Sequence, residues 1–265
     1  RTEMYALARS ASLTYCSMMR TACLMTATPR LKPLVSQDKS KNGCITIAPP
    51  EGVEHTATFV GPIHGLGDTN MGWADAAYQL ATSSLSHVKF VLPNAPIAPV
   101  TLNGGMPMPS WYDITSLDNR ANQPCDGLDA SVATVNALIA EELENGIPLE
   151  RIVVGGFSQG GAVSLFAGLS YPGRLAGIVC MSGYLPRDHD FALDKVGKTT
   201  PVGHFHGIDD PTVRIEWATQ SQEKLKALGV VSYELSQYPG LGHGLSPEEF
   251  ADVEAWVLER LPPTP

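Results

Sequence analysis

The most informative segment of the sequence reads Arg151-Ile-Val-Val-Gly-Gly-Phe-Ser-Gln-Gly-Gly-Ala-Val-Ser-Leu-Phe-Ala167. Its first five residues predict a buried strand, and residues 159–169 predict a helix. Ser158 lies between them, with Gly156 two residues before it and Gly160 two residues after it. A strand that turns sharply into a helix needs small residues at these positions, because a Cβ atom would strike the neighbouring backbone. The segment therefore predicts an exposed serine at a helix N-terminus, where N–H groups and the helix dipole can stabilise an oxyanion.

Strands and helices alternate on both sides of this turn. Further strands are predicted over residues 45–48, 56–63, 88–92, 177–181, 201–206 and 231–238. Further helices are predicted over residues 73–85, 126–146, 215–228 and 247–261, with Asp126 as the cap of the second. Residues 93–111 hold five prolines and are predicted to be a loop, because proline lacks the N–H donor of regular structure. The alternation predicts an α/β fold with a mostly parallel central sheet and helices on both faces.

The composition of the chain excludes several classes of protein. Hydrophobic residues are 43% of 265 and charged residues 17%, which excludes wholesale disorder. The net charge of -9 disfavours a nucleic-acid partner, since binding to phosphates needs a basic face. No run of 18 apolar residues predicts a membrane-spanning helix. The five cysteines include no CxxC pair and suggest no disulfide framework, which predicts a reducing, cytoplasmic location.

The first part of the chain differs in composition from the rest. Residues 4–29 contain two arginines and no acidic residue, and are rich in Ser, Thr, Ala and Met, as organelle-targeting segments are. Residues 30–43 are predicted to be a linker. We therefore expect residues 1–43 to be an N-terminal extension, either disordered or targeting, and residues 44–265 to be one catalytic domain. Targeting to an organelle is the alternative to a cytoplasmic location.

A serine hydroxyl is a weak nucleophile until a base takes its proton. In enzymes of the α/β-hydrolase fold an acid and then a histidine follow the serine along the chain. His243 is the favoured base, because it lies in a glycine-flanked loop between the last strand and the last helix. His204 and His206 share one face of a strand, and His206 is expected to end that strand before a tight turn. A metal site at this pair is the alternative, although no third ligand lies nearby. His189 lies in a charged stretch and is expected to be solvated.

The acid of such a site is expected after a strand and before His243, which leaves Asp209 and Asp210. Composition does not separate the two. Asp210 precedes Pro211, which disfavours helical geometry at the aspartate and keeps it in an extended loop.

Two main-chain donors are expected to bind the oxyanion. One is the N–H of Gln159, the residue after the nucleophile. The other is expected in the loop His64-Gly-Leu-Gly-Asp68, whose glycines allow the backbone to approach a substrate. Within that loop the N–H of Leu66 is the favoured donor.

Several short motifs together resemble one family. They are His64-Gly-Leu-Gly-Asp68, Pro93-Asn-Ala-Pro96, Pro99-Val-Thr101, Met108-Pro-Ser-Trp-Tyr-Asp113, Gly156-Phe-Ser-Gln-Gly-Gly-Ala162, Asp210-Pro-Thr-Val213 and Gly242-His243. Over residues 56–262 the chain resembles the acyl-protein thioesterase branch of the phospholipase/carboxylesterase family, of the α/β-hydrolase superfamily. The resemblance implies a catalytic triad of Ser158, Asp210 and His243, with Leu66 and Gln159 as oxyanion donors. It favours Asp210 over Asp209, since the family's acid directly precedes the proline.

Two positions depart from the family pattern. Ile208 stands where animal members usually carry a second aspartate. Ser182-Gly-Tyr-Leu-Pro186 is wording that also occurs in bacterial carboxylesterases. The alternatives are therefore a broad carboxylesterase or lysophospholipase and, in a different class, a non-catalytic lipid-binding protein.

The resemblance implies hydrolysis of long acyl thioesters, such as palmitoyl groups on protein cysteines. No metal cluster or nucleotide fingerprint occurs in the sequence, so no cofactor is expected. A long acyl chain needs an apolar groove, and the residues expected to line it are Leu102, Met106, Met108 and Trp111. The expected partners are S-acylated proteins or lipid esters, with transient contact to a membrane surface.

Overall fold

Eight strands form the central sheet of the computed structural model, which describes residues 32–264. The strands are β1 Leu34–Asp38, β2 Cys44–Ala48, β3 Ala57–Ile63, β4 Val88–Leu92, β7 Ile152–Phe157, β8 Gly177–Met181, β9 Val202–Gly207 and β10 Tyr233–Tyr238. The pairs β1/β2 and β2/β4 are antiparallel, and every other neighbouring pair is parallel. In spatial order the sheet runs β1-β2-β4-β3-β7-β8-β9-β10.

Helices cover both faces of this sheet. They are α1 Met71–Ala81, α2 Leu128–Glu144, α3 Gln159–Ser170, α4 Ile215–Leu228 and α5 Pro247–Arg260. Side chains alternate between the two faces along each strand: Val153 packs with α1 and α5, whereas Val154 packs with α2, α3 and α4. Since β7 is buried on both faces, it is a continuous apolar run. The predicted α/β fold is confirmed.

The sheet begins at Leu34, eleven residues before the first predicted strand. β1 pairs with β2 along its length, from Leu34 opposite Ala48 to Asp38 opposite Cys44. The predicted linker is therefore wrong for residues 34–43, and the expected domain boundary at residue 44 cuts through the sheet. All five residues of β1 are exposed, because the strand lies at the sheet's edge, so they show no alternation of polar and apolar side chains. The targeting segment expected over residues 4–29 lies outside the described residues.

The segment predicted to be a proline-rich loop contains a two-stranded ribbon. β5 Ile97–Val100 and β6 Met106–Pro109 are antiparallel, with Pro99 opposite Pro107. Each strand of an isolated ribbon has an outer edge where an N–H has no ladder partner, so proline is tolerated there. The prediction of a loop was wrong because it treated proline as excluded from all strands.

Helix capping was only partly predictable. The N-cap of α2 is Gly127, with a φ of 98°, and not Asp126. α5 begins as expected: the Ser246 hydroxyl accepts a hydrogen bond from the Glu249 N–H at 3.0 Å, and Pro247 occupies the first turn.

The parallel strands bring their following loops to one edge of the sheet. The loops after β3, β7, β9 and β10 carry residues 64–70, Ser158, residues 208–214 and residues 239–246. These segments hold the residues that the sequence predicted to be catalytic. Among residues 32–264, no helix is long and apolar enough to cross a membrane.

Candidate active site

Ser158 occupies a strained turn between β7 and α3. Its backbone has φ 55° and ψ -117°, and its N–H donates to the Met181 carbonyl at 2.8 Å. A Cβ atom on Gly156 would lie 2.7 Å from the Ile63 carbonyl oxygen, and one on Gly160 would overlap the same oxygen. The two glycines therefore allow β3 to pass close beside the turn, as the G-x-S-x-G pattern predicted.

His243 connects the serine to an acid. Its Nε2 lies 3.0 Å from the Ser158 Oγ, and its Nδ1 lies 2.6 Å from the Asp210 Oδ2. A carboxylate only accepts, so Nδ1 carries the proton of the neutral ring and Nε2 is free to accept the serine proton. The Phe157 ring packs on the imidazole, with ring centroids 4.9 Å apart. This arrangement has the geometry of a nucleophile, a general base and an orienting acid.

The structure brings Asp210, and not Asp209, to the histidine. Asp210 is 3% exposed, and its Oδ1 accepts from the N–H groups of Thr212 and Val213, both at 2.8 Å. Asp209 is exposed, and its Oδ2 accepts from the Gly240 N–H at 2.7 Å. Asp209 thus fastens the loop that leads to His243, while Asp210 faces the imidazole itself.

The loop after β3 lies directly against the nucleophile. A Cβ atom on Gly65 would be 3.3 Å from the Ser158 Cβ. The Gly65 carbonyl accepts from the His64 Nδ1 at 2.8 Å and from the Asp68 N–H at 3.3 Å. In a trans peptide the N–H points opposite to the carbonyl, so the Leu66 N–H is directed away from these two contacts. The N–H of Gln159 opens α3, where the first N–H groups have no intrahelical partner.

The Gln159 side chain has a structural role that no sequence pattern indicated. Its Oε1 accepts from the Trp111 N–H at 3.0 Å, and its Nε2 donates to the Tyr112 carbonyl at 2.7 Å. It therefore fastens the segment after β6 to the nucleophile turn. No spacing signal in the sequence pointed to this contact, since the two segments are 48 residues apart.

The four residues expected to line an acyl groove occupy different environments. Trp111 is 2% exposed, and its indole Nε1 donates to the His64 carbonyl at 2.9 Å. This hydrogen bond holds the loop after β3, which lies beside Ser158. Met108 is 5% exposed and packs near Gly67. Leu102 is half-buried, whereas Met106, at the start of β6, is 52% exposed.

The remaining histidines are not arranged as metal ligands. His204 and His206 share a face of β9, as predicted, but within residues 32–264 no group of three or more ligating side chains could hold a metal ion. His189 is exposed, as expected.

Comparison with known proteins identifies the family. The phospholipase/carboxylesterase family model matches residues 42–259. The chain belongs to the phospholipase/carboxylesterase family. Within this family it is 43% identical to acyl-protein thioesterase 1 of Neurospora crassa over 223 residues, covering 80% of this chain and 90% of the relative. It is 44% identical to acyl-protein thioesterase 1 of Mycosarcoma maydis over 233 residues, covering 82% and 97%.

Solved structures agree with this family assignment. The chain superposes on Zea mays acyl-protein thioesterase 2 with a TM-score of 0.72 and 32% identity, covering 82% of this chain and 98% of that one. It superposes on Arabidopsis thaliana SOBER1 with a TM-score of 0.70 and 33% identity, covering 78% and 99%. The protein is a serine hydrolase with the α/β-hydrolase fold, as its sequence predicted.

Proposed function

We propose that the protein removes long acyl chains from the cysteines of S-acylated proteins, with Ser158, His243 and Asp210 as its catalytic triad. The observation that carries this proposal is the continuous line of contacts from Asp210 Oδ2 through His243 to Ser158 Oγ, at 2.6 and 3.0 Å. The relatives named acyl-protein thioesterase 1 support the thioester as substrate.

Acylation begins when Ser158 Oγ attacks the thioester carbonyl carbon and its proton passes to His243 Nε2. The carbonyl oxygen becomes an oxyanion, which the N–H groups of Leu66 and Gln159 stabilise. Asp210 stabilises the imidazolium that forms. When the tetrahedral intermediate collapses, the carbon–sulfur bond breaks, and His243 returns its proton to the departing cysteine sulfur.

Deacylation repeats these steps with water. His243 takes a proton from water, the resulting hydroxide attacks the ester carbon on Ser158, and collapse returns the proton to Ser158 Oγ. The products are the fatty acid and the regenerated serine. No step needs a cofactor.

Exposed apolar side chains on the β5/β6 ribbon and at the start of α1 support contact with a lipid surface. Ile97 and Met106 are 68% and 52% exposed on β5 and β6, and Met71 is 64% exposed at the start of α1. Transfer of a 16-carbon chain from a membrane into water would cost on the order of 12 kcal/mol. Exposed apolar side chains on these segments would lower this barrier by contacting the membrane that holds the acyl chain. We place Leu102 and Met106 on the route of the chain, and Met108 and Trp111 behind it as support.

A cytoplasmic location fits the cysteines of the described residues. Cys44, Cys125 and Cys180 are buried free thiols, which a reducing compartment preserves. A role for residues 1–31 in targeting is the alternative, and fractionation of cells that express the full chain or residues 32–265 separates the two.

The experiment that tests the function is a matched substrate series. An S-palmitoyl peptide, the oxyester of the same peptide with serine in place of cysteine, and a palmitoyl lysophospholipid are hydrolysed by the same preparation. We expect the highest kcat/KM for the thioester. A higher kcat/KM for either oxygen ester would favour a carboxylesterase or lysophospholipase. Failure of a fluorophosphonate probe to label Ser158 would favour a non-catalytic lipid-binding protein.

A further inference from the structure

A line of buried side chains runs from β10 through β9 to the acid of the triad. The Tyr233 hydroxyl lies 2.7 Å from the His204 Nδ1, and the His204 Nε2 lies 3.3 Å from the His206 Nδ1. The His206 Nε2 lies 2.7 Å from the Val213 carbonyl oxygen. His204 and His206 are completely buried, and Tyr233 is 7% exposed.

The Val213 carbonyl, at one end of this line, fixes the direction of every hydrogen bond in it. A carbonyl oxygen only accepts, so His206 carries its proton on Nε2. The neutral His206 ring then accepts at Nδ1, which makes His204 Nε2 a donor. His204 Nδ1 is left as an acceptor, and Tyr233 is the donor to it. The three side chains therefore hold one tautomer of His206.

Val213 is held at both of its main-chain polar groups. Its carbonyl accepts from His206, and its N–H donates to the Asp210 Oδ1 at 2.8 Å. The other carboxylate oxygen, Oδ2, lies 2.6 Å from His243 and 3.7 Å from the His206 Nε2. His206 therefore fixes the turn that orients the Asp210 carboxylate toward the catalytic histidine.

The hydrogen bond between the two histidines requires that His206 is neutral. A second proton on His206 would face the Nε2–H of His204, so the two rings would present donors to each other. Burial lowers the pKa of both histidines, and the proximity of the His206 ring lowers the pKa of His204 further. The other titratable groups that face the line are Asp210 and His243 on the loops and Cys180 on the neighbouring strand β8.

We propose that His206 is a positioning residue for Asp210, and that Tyr233 and His204 hold the tautomer in which it does so. This proposal rests on the proposed triad. It assigns a function in the reaction to a pair of histidines for which the sequence predicted only the end of a strand or, alternatively, a metal site. It also makes Tyr233, on the edge strand β10, a residue that affects catalysis through His206.

The first test compares two substitutions at one position. His206→Gln keeps an N–H donor at the position of Nε2 for the Val213 carbonyl, whereas His206→Met keeps the approximate volume and removes the donor. We expect His206→Met to lower kcat for a soluble thioester by about ten- to hundredfold with KM changed less than about twofold, because misplacement of a catalytic group acts on the transition state. His206→Gln is expected to restore kcat to within about fivefold of the wild type.

The pH profile separates positioning from a general loss of stability. In His206→Met the Asp210 carboxylate is released, so the imidazolium of His243 is less stabilised, and the acid limb of kcat/KM moves to lower pH. His206→Gln is expected to return the limb to its original position. Equal kcat for the Met and Gln variants, or a lowered kcat with an unmoved acid limb, would overturn the proposal.

A double-mutant cycle tests the line as a unit. Tyr233→Phe removes one hydroxyl and is expected to lower kcat several-fold in the wild type but to have no further effect in His206→Met. Tyr238→Phe is the matched control, since this hydroxyl on the same strand donates to Asp252 instead. Additive effects of the two substitutions, or an equal effect of Tyr238→Phe, would contradict the role of Tyr233.

Two further measurements keep the outcomes distinct. If His206→Met does not fold, as judged by its thermal transition, the Tyr233→Phe variant and its control still decide the proposal through kcat. Labelling of the wild type by a fluorophosphonate, with none in Ser158→Ala, tests the triad by itself. A labelled wild type with unaffected His206 and Tyr233 variants would reject the positioning role and leave the triad standing.

Discussion

Gln159 and Trp111 are joined by a hydrogen bond of 3.0 Å from the Trp111 main-chain N–H to the Gln159 amide oxygen. The indole of Trp111 in turn donates to the His64 carbonyl at 2.9 Å. The residue after the nucleophile is thereby connected through Trp111 to the loop that carries Leu66. Both proposed oxyanion donors thus belong to one buried network, which fixes their separation before a substrate arrives.

Replacement of Ser158 by alanine is expected to abolish turnover and covalent labelling together. Removal of the nucleophile of a triad costs on the order of a millionfold in kcat, because its members act as a unit. Initial rates with a thioester and the stoichiometry of labelling by a fluorophosphonate measure the two effects. Strong labelling of Ser158→Ala would reject Ser158 as the nucleophile.

Asp210→Asn is expected to be far more damaging than Asp209→Asn. Loss of the acid that orients the histidine costs about ten-thousandfold in kcat in the type case. Asp209→Asn keeps an oxygen that can accept from the Gly240 N–H, so we expect a loss of less than roughly tenfold. The two variants are matched in chemistry and adjacent in sequence, and equal losses or the reverse order would contradict the assignment.

The fold, the nucleophile and its base could be predicted from local patterns, whereas the choice of Asp210 over Asp209 depended on the family resemblance. The glycines at positions 156 and 160 mark the turn at Ser158 in the sequence, even though it is Ile63 of β3 that they make room for. The alternation of strands and helices indicates the sheet. Other features depend on contacts between distant segments. No periodic pattern in the sequence indicates three of these features. They are the contacts of the Gln159 side chain, the hydrogen bonds from Tyr233 to Val213 and the burial of Trp111. β1 was missed because an exposed edge strand has no buried face to produce alternation.

The position of β1 predicts different results for two truncations. A protein that begins at residue 32 keeps the whole sheet and is expected to retain hydrolysis of soluble thioesters. A protein that begins at residue 44 loses β1 and exposes the edge of β2, where Ile45 and Ile47 are buried, so we expect lower stability. Thermal unfolding and kcat/KM of the two proteins measure this. Equal melting temperatures would show that β1 contributes little to the fold.

Met106 and Met108, both on β6, are expected to have different roles. Met106 is 52% exposed and Met108 is 5% exposed. Met106→Ser should lower kcat/KM for long acyl thioesters by about tenfold, from about 1–2 kcal/mol of lost apolar contact, with little effect on butyryl esters or on melting temperature. Met108→Ser should lower the melting temperature instead, since it removes buried apolar volume. A parallel drop at every chain length in Met106→Ser would mean that the side chain does not contact the acyl chain.

The buried Glu249 is expected to make stability fall as pH rises. Burial raises the pKa of this carboxyl from 4.5 to about 8; the Ser246 main chain opposes the shift, and Asp210 and Asp252 add to it. Between these two pH values the unfolded chain has released the proton and the folded chain still holds it, so the free energy of unfolding decreases with pH.

Glu249→Gln removes this titration while keeping the shape of the side chain. We expect the variant to match the wild type near pH 4.5 and to become more stable than it by on the order of a few kcal/mol at pH 8. Urea unfolding of both proteins from pH 4.5 to pH 9 measures the difference, with Glu248→Gln as the exposed control on the same turn of α5. A constant difference between wild type and Glu249→Gln across this range would show that Glu249 is ionised in the folded protein.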